Sequence, residues 1–489
     1  MSRDHPASIG RVATGIEGLD QVLNGGIPET SITLMAGEPG SGKTVLALQM
    51  LFEAARRGER CIYFTTLSEP ALKVIRYMQL FDFFDQDLLE KQIELMDLGT
   101  ALRSRGAEAA LAEVVEKVEE EQPSIVVIDS FKAIHDLVEP VRRRSQVYEL
   151  AVAMASWGAT TLLVGEYGEK DISKLPDFAI ADGILRLGWG RRELTMVREL
   201  EVRKLRGSSF VLGTHFYEID EGGISFYPRV RVPAEIPAAP PEPKVTTGTP
   251  GLDGLLRGGL PSRSTTLLVG GTGTGKTLLG LQFLVEGARR GEPGILVGLE
   301  ESPEQIIATA AGFGWDLEAL QEAGLLELLY VPPVELSTDR FLHELLTGIG
   351  RTKAKRVVLD SLTSLALGAV SERRLRELVY ALAKHLRAAG ITSMLSMEVP
   401  ELLGTGQISG HGVSFAADNV IFIRYVETQG RLDRALAVIK ARGVGHGREL
   451  VGLMIGGKGV EVGGPLSELQ GVLTGLPHKA SAGETGKQP

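Results

Sequence analysis

Cysteine is almost missing from this chain: Cys61 stands alone among 489 residues. One thiol excludes an intrachain disulfide and any cysteine-based metal cluster, which fits a reducing, cytoplasmic setting. Long apolar runs are missing too, and none approaches the roughly 18 residues that suggest a membrane span. Met1–Gly10 has no apolar core of the signal-peptide kind, so export is not expected. An excess of positive charge is likewise absent. The net charge of −10 argues against a chain that binds nucleic acid non-specifically over its whole surface. The eight histidines are scattered, with no metal-ligand spacing. Hydrophobic residues at 43% and charged residues at 23% are ordinary for a globular chain, and the length calls for two or three domains.

Glycine, by contrast, is placed with purpose. Gly37-Glu38-Pro39-Gly40-Ser41-Gly42-Lys43-Thr44 recurs as Gly270-Gly271-Thr272-Gly273-Thr274-Gly275-Lys276-Thr277, with the two lysines 233 residues apart. Each stretch follows an apolar strand-like run, Ser31–Ala36 and Thr265–Val269. Each leads into a helix-like run, Thr44–Arg57 and Thr277–Arg290. That is the setting of a Walker A loop. Its glycines let backbone N–H groups turn toward phosphate oxygens. Lys43 and Lys276 reach the β- and γ-phosphates, Thr44 and Thr277 offer hydroxyls to Mg²⁺, and the helix N-terminus favours the anion. ATP and Mg²⁺ are the expected ligands.

The repeat runs well beyond the loops. Thr14-Gly15-Ile16-Glu17-Gly18-Leu19-Asp20 opens the first copy and Thr247-Gly248-Thr249-Pro250-Gly251-Leu252-Asp253 the second. Apolar runs end in Asp129-Ser130 and Asp360-Ser361, and each copy closes with a Lys-x-Arg-Gly run, at Lys204–Gly207 and Lys440–Gly443. Continuous apolar strands alternating with amphipathic helices predict a mainly parallel sheet with helices on both faces, phosphates binding at the carboxyl ends of the strands. The expected organisation is two tandem α/β P-loop NTPase domains over 8–230 and 244–475. A proline-rich linker over 231–243 joins them, and a polar tail over 478–489 is expected to be disordered.

With these residues in view, the chain resembles the KaiC family, tandem RecA-like ATPase domains related to the circadian clock ATPase and kinase. The resemblance covers about residues 8 to 475. It rests on both Thr-Gly openings, both Walker loops, both Lys-x-Arg-Gly runs and Leu299-Glu300-Glu301-Ser302-Pro303. It implies a homo-oligomeric ring, a hexamer, with ATP bound at the seams between subunits and regulatory proteins as further partners.

Asp129 and Asp360 end apolar runs and suit a Walker B role on the metal; the alternative is a strand-end aspartate capping a turn. The resemblance gives Glu300 and Glu301 the place of a general base beside the γ-phosphate, with Glu300 taken as the base; a pair that merely opens the next helix is the plainer reading. The first copy departs here. Its Thr65-Thr66-Leu67-Ser68-Glu69-Pro70 sets Leu67 and Ser68 against the two glutamates and leaves Glu69 one residue out of step. Slow hydrolysis in the first domain and turnover mainly in the second are therefore expected, with ATP in the first serving as glue for the seam. By resemblance, Lys204, Arg206, Lys440 and Arg442 reach a neighbouring subunit's ATP, and His446 contacts nucleotide, where the first copy has Phe210. A solvated strand edge would explain the basic residues equally simply.

The family's best-known members phosphorylate themselves on an adjacent Ser-Thr pair. Aligned on Asp418, that pair falls on Ser414-Phe415, so Ser414 is the candidate phosphoacceptor, Ser409 lies nearby, and a two-site cycle is not expected. Two other function classes fit a RecA-like ring. A DNA-dependent recombinase motor would thread nucleic acid past 401–418, yet that stretch contains no Lys or Arg. An ATP-assembled scaffold without catalysis does not account for the Glu300-Glu301 pair.

Overall fold

Both Walker strands are buried along their whole length because both faces of their sheets are covered. In the computed structural model, Ile32–Gly37 and Thr265–Gly270 are buried throughout. Along the first strand, Leu34 and Ala36 enter one core while Met35 enters the core on the opposite face. Along the second, Leu267 and Val269 face one way and Leu268 the other. The described residues are 9–67, 70–139, 141–172, 174–192, 195–229, 232–233, 244–332, 337–369, 371–399, 413–428, 430–443, 445–467, 469–470 and 478–479.

The chain divides into two compact units, Met1–Arg229 and Val230–Pro489. Each is built on one nine-stranded sheet. In the first the order runs Ile93–Asp97, Cys61–Thr65, Ile125–Asp129, Thr160–Glu166, Ile32–Gly37, Gly183–Arg192, all parallel. Thr195–Leu205, Thr214–Asp220 and Gly223–Tyr227 then extend the sheet antiparallel. The second sheet repeats this order from Leu326–Tyr330 through Gly294–Gly298, Arg356–Asp360, Thr392–Glu398, Thr265–Gly270 and Asn419–Thr428 to three antiparallel strands ending at Gly459–Pro465. The mainly parallel α/β architecture read from the sequence is the one observed.

Two local devices place the sites. The Walker helices span Lys43–Arg56 and Lys276–Arg289, one residue earlier than the sequence pattern suggests. Their N-caps, Gly42 and Gly275, lie in the left-handed region at φ 87° and 99°, where a side chain is strained. The second device is a clasp at each opening motif. Asp20 accepts hydrogen bonds from the Thr14 N–H and hydroxyl, both at 2.8 Å, and from the Gly15 N–H at 3.2 Å. Asp253 does the same for the Thr247 N–H and hydroxyl, both at 2.8 Å, and also for the Thr246 hydroxyl.

Elsewhere, Trp315 is buried beside Phe313, their rings 5.5 Å apart, in the packing role its sequence context suggests. Arg142 precedes the helix Arg143–Ser156 and hydrogen-bonds Glu108 at 3.4 Å. Of the tail expected to be disordered, His478–Lys479 pairs antiparallel with Leu469–Gln470. Residues 480–489 and most of the linker lie outside the described residues.

Candidate nucleotide sites

Each Walker loop sits where its strand ends and its helix begins, next to the end of the strand that carries Asp129 or Asp360. The hydroxyl of Thr44 donates to Asp129 Oδ2 at 2.7 Å, and Tyr63 donates to the same oxygen at 2.8 Å. In the second domain Thr277 donates to Asp360 Oδ2 at 2.5 Å, while Ser396 donates to Asp360 Oδ1. A hydroxyl and a carboxylate converging this way form the oxygen donor set that Mg²⁺ takes. The fold thus brings each aspartate to the threonine of its Walker loop, and the peptide bond after each aspartate is cis.

The lysines are nearly enclosed, Lys43 at 7% and Lys276 at 6% exposure. Lys43 Nζ donates to the Glu38 carbonyl at 2.8 Å, and Lys276 Nζ to the carbonyls of Gly270 and Gly271 at 3.1 and 2.8 Å. Burial lowers the proton affinity of Lys43, and Glu166, Asp129 and Glu38 nearby oppose that shift. Gly37 and Gly270 permit close packing: a Cβ on either would lie 2.0 Å from the Leu187 carbonyl or 2.4 Å from that of Ile423. Gly40, at φ 74°, has nothing within 4 Å of where a Cβ would stand, so its loop is open on that side. Within the loops, Thr274 donates to the Gly271 carbonyl at 2.8 Å, and Tyr217 donates to the Ser41 carbonyl. A cavity of about 810 Å³ opens over the first loop, lined by Lys43, Thr44, Asp129, Glu166 and Arg198.

Several of these groups escape a motif reading. Glu166 and Glu398 close the strand beside each Walker strand, in register with Gly37 and Gly270. Glu398 lies 3.5 Å from Lys276 Nζ and accepts from the Thr272 hydroxyl at 3.2 Å. Their matching place at two strand ends is the only sequence signal they give. On the other flank, Arg198 stacks over Trp189 at 4.6 Å and Arg434 over Tyr425 at 5.2 Å. Each pair faces across adjacent strands in the same register. Tyr425 and Arg434 also donate to the Gly273 carbonyl at 2.7 and 3.3 Å, tying this pair to the Walker loop.

The two halves diverge after the second parallel strand. Thr65 pairs with Asp129 and Gly298 with Asp360, so Leu67 occupies the place of Glu300. Glu300 Oε1 accepts from the Ser361 hydroxyl at 2.8 Å and also from the Ser364 hydroxyl. Burial, together with Asp360 and Glu300 close by, raises the proton affinity of Glu301. Ser68 and Glu69 lie outside the described residues, as do Ser409 and the rest of 401–412.

The basic pairs near the domain ends are partly engaged within their own chain. Lys204 Nζ donates to the Ala181 carbonyl at 2.5 Å, and Arg206 lies 3.3 Å from Asp182. Lys440 Nζ donates to the carbonyls of Ala417 at 2.7 Å and Ser414 at 3.3 Å. Burial lowers the proton affinity of both lysines, and the adjacent arginine adds to it. Arg442 lines a cavity of about 210 Å³ with Lys384, Arg387 and Asp418. His446 is half-buried in an irregular segment, and Phe210 packs against the first core. Beside Ser414, Phe415 stacks on Tyr380 with ring centroids 6.0 Å apart.

Comparison with known proteins agrees with this duplication. The family model described as ATPase: KaiC matches twice, over residues 12–231 and 245–467. The circadian clock oscillator protein KaiC of Parasynechococcus marenigrum is 29% identical over 97% of this chain and 94% of its own length. The protein of that name from Thermostichus vulcanus is 29% identical over 98% of this chain and 94% of its own. The circadian clock protein KaiC3 of a Synechocystis strain is 30% identical over 96% of this chain and 95% of its own. With both halves matched and two nucleotide loops built alike, the chain belongs to the KaiC family and carries two of its ATPase domains in tandem.

Proposed function

We propose that this chain forms a ring, a hexamer, that hydrolyses Mg·ATP mainly in its second domain. The observation behind the ranking is the contrast at one position: carboxylates Glu300 and Glu301 beside Asp360 in the second domain, Leu67 in the matching place of the first. A bound Mg²⁺ would supply positive charge to offset what develops on the phosphates during transfer. Thr277 and Asp360 are the residues to hold it, as Thr44 and Asp129 are in the first domain. Lys276 and the backbone of the Walker loop fix the phosphates, and the enclosure of Lys276 keeps water from competing for its ammonium.

The sequence pattern favours Glu300 as the base, but the geometry favours Glu301. Glu300 has one oxygen already engaged by two serine hydroxyls, whereas Glu301 stands exposed, its proton affinity raised by partial desolvation and by Asp360 and Glu300 beside it. Glu301 then takes the proton of the attacking water, and Glu300 steadies the turn that carries it. Arg442, and Arg206 in the first domain, serve a neighbouring subunit's nucleotide, each set at a domain end beside a lysine anchored to its own backbone. The first domain binds ATP and turns it over slowly.

Serine autophosphorylation is a second activity, with Ser414 as acceptor. Its favouring observation is that the Ser414 carbonyl accepts from Lys440, which keeps the residue beside the Lys-x-Arg run. The deciding experiment compares ATP turnover by Glu301→Gln, Lys276→Ala and Lys43→Ala, with phosphate mapped by mass spectrometry. Loss of a positioned base lowers turnover by roughly 10² to 10⁴-fold. If Lys43→Ala abolishes turnover while Glu301→Gln and Lys276→Ala leave it intact, the ranking of the domains is wrong. Phosphate absent from Ser414 after incubation with ATP removes the second activity, and a monomer both with and without ATP removes the ring.

A further inference from the structure

Glu300 is held by two serines that lie one turn apart at the start of the helix Leu362–Leu367. Ser361 has a duty of its own there. It is the N-cap of that helix, its side chain accepting from the Ser364 N–H at 3.2 Å. Ser364 has no such local duty. Its buried hydroxyl stands 3.2 Å from that of Ser361 and donates to Glu300.

The first domain supplies a control within the same chain. Matching Asp129 to Asp360 puts Ala133 in the place of Ser364, just as it puts Leu67 in the place of Glu300. Both members of the contact are therefore replaced by apolar residues together. The equivalent helix Phe131–Leu137 still forms, preceded by Ser130. A hydroxyl at this position is thus not needed to start the helix. The first domain joins the same two segments differently, with the Ser130 N–H donating to Thr66 Oγ1 at 2.9 Å.

We propose that Ser364 is a positioning residue of the second ATPase site, its hydroxyl pinning Glu300 and so fixing the Glu300-Glu301 turn against Asp360. This rests on the assignment of hydrolysis to the second domain. A carboxylate on an exposed turn samples several rotamers, and two O–H donors to one oxygen restrict it to one. The adjacent Glu301 shares that backbone and inherits its placement. The Ser364 hydroxyl is buried and spent on Glu300 and Ser361, so its removal acts on the rate of the chemical step and not on binding.

The test uses the full chain and measures kcat and KM for Mg·ATP in Ser364→Ala, Ser364→Thr, Glu300→Leu and the Glu300→Leu, Ser364→Ala double variant. Turnover lost in Lys276→Ala defines the second site's share. Loss of a hydrogen bond to a charged group predicts a kcat about tenfold lower in Ser364→Ala, with KM within about twofold. Ser364→Thr keeps the hydroxyl and recovers most of the rate, which separates positioning from a packing defect. In the Glu300→Leu background, Ser364→Ala changes kcat by less than about twofold, because the partner is gone. The proposal is overturned if Ser364→Ala leaves kcat unchanged, if it has the same effect in both backgrounds, or if threonine fails to restore the rate. Failure of the underlying assignment looks different: Glu301→Gln and Lys276→Ala would then both turn over ATP at the unmodified rate.

Discussion

Introducing a methyl group at Gly287 tests whether a buried arginine dictates that glycine. Gly287 lies inside the second Walker helix, where glycine is about 1 kcal/mol less favourable than alanine. A Cβ there would stand 2.5 Å from Cδ and 2.6 Å from Nε of Arg356. Arg356 is 1% exposed and cannot simply swing aside. Its guanidinium donates to the Thr246 carbonyl at 3.0 Å, the Phe283 carbonyl at 2.8 Å and Glu292 at 2.8 Å, and it lies 4.6 Å from the Phe283 ring centre. Displacing it loses part of this set, a penalty of about 2–4 kcal/mol set against about 1 kcal/mol gained in helix propensity. Gly287→Ala alone is therefore expected to destabilise the second domain by about 1–3 kcal/mol. In an Arg356→Ile background the clash is absent, and the same substitution should stabilise by up to about 1 kcal/mol. The first domain already holds that combination, with Ala54 and Ile125 at the matching positions. The assay is hydrogen exchange by mass spectrometry on the peptide covering Lys276–Arg289, read as a double-mutant cycle. If Gly287→Ala destabilises equally in both backgrounds, the contact with Arg356 is not the reason for the glycine.

Three further outcomes follow from groups already described. A base acts only when ionised, and Glu301 has its proton affinity raised by burial, Asp360 and Glu300, so turnover by the second site should fall on acidification at a higher pH than an ordinary carboxylate would set. Glu300→Gln removes one of those charges and should move that acid limb to lower pH; a limb that stays put refutes the assignment. Cys61 is fully buried and its thiol is pushed up to about 12, chiefly by burial, so it should resist iodoacetamide at pH 8 in the native chain and react once unfolded; equal labelling in both states would contradict its burial. Asp20→Ala removes the acceptor of three hydrogen bonds and should lower the stability of the first domain by about 2 kcal/mol, read as a lower denaturant midpoint.

What the sequence disclosed depended on how local each signal is. The Walker loops and their flanking strand and helix are contiguous, so a glycine pattern between an apolar run and a helical run is enough to find them. Asp129 and Asp360 end apolar runs and stand out for the same reason. The contrast between Glu300 and Leu67 emerged because the duplication aligns one half on the other. The partners of those residues did not. Ser364 is 64 residues from Glu300, and Glu398 is 126 from Thr272; only the order of parallel strands brings each pair together. Glu300 and Glu301 are a similar case, since two adjacent carboxylates look alike in a sequence, and only the fold shows that two serine hydroxyls reach Glu300. The Arg356–Gly287 contact was silent as well, because a mid-helix glycine carries no hint of what lies across it.

The aspartate clasps at Asp20 and Asp253 bear on how relatives of this chain are recognised. Both tie an opening segment to its own domain, and among the described residues neither hydrogen-bonds a residue of the Walker loops. Selection that preserves such a knot rewards correct assembly of the polypeptide, whatever chemistry that polypeptide later performs. A chain that lost its turnover at the carboxylates could therefore keep both clasps intact, and the clasps would report its architecture while the carboxylates alone report its working state.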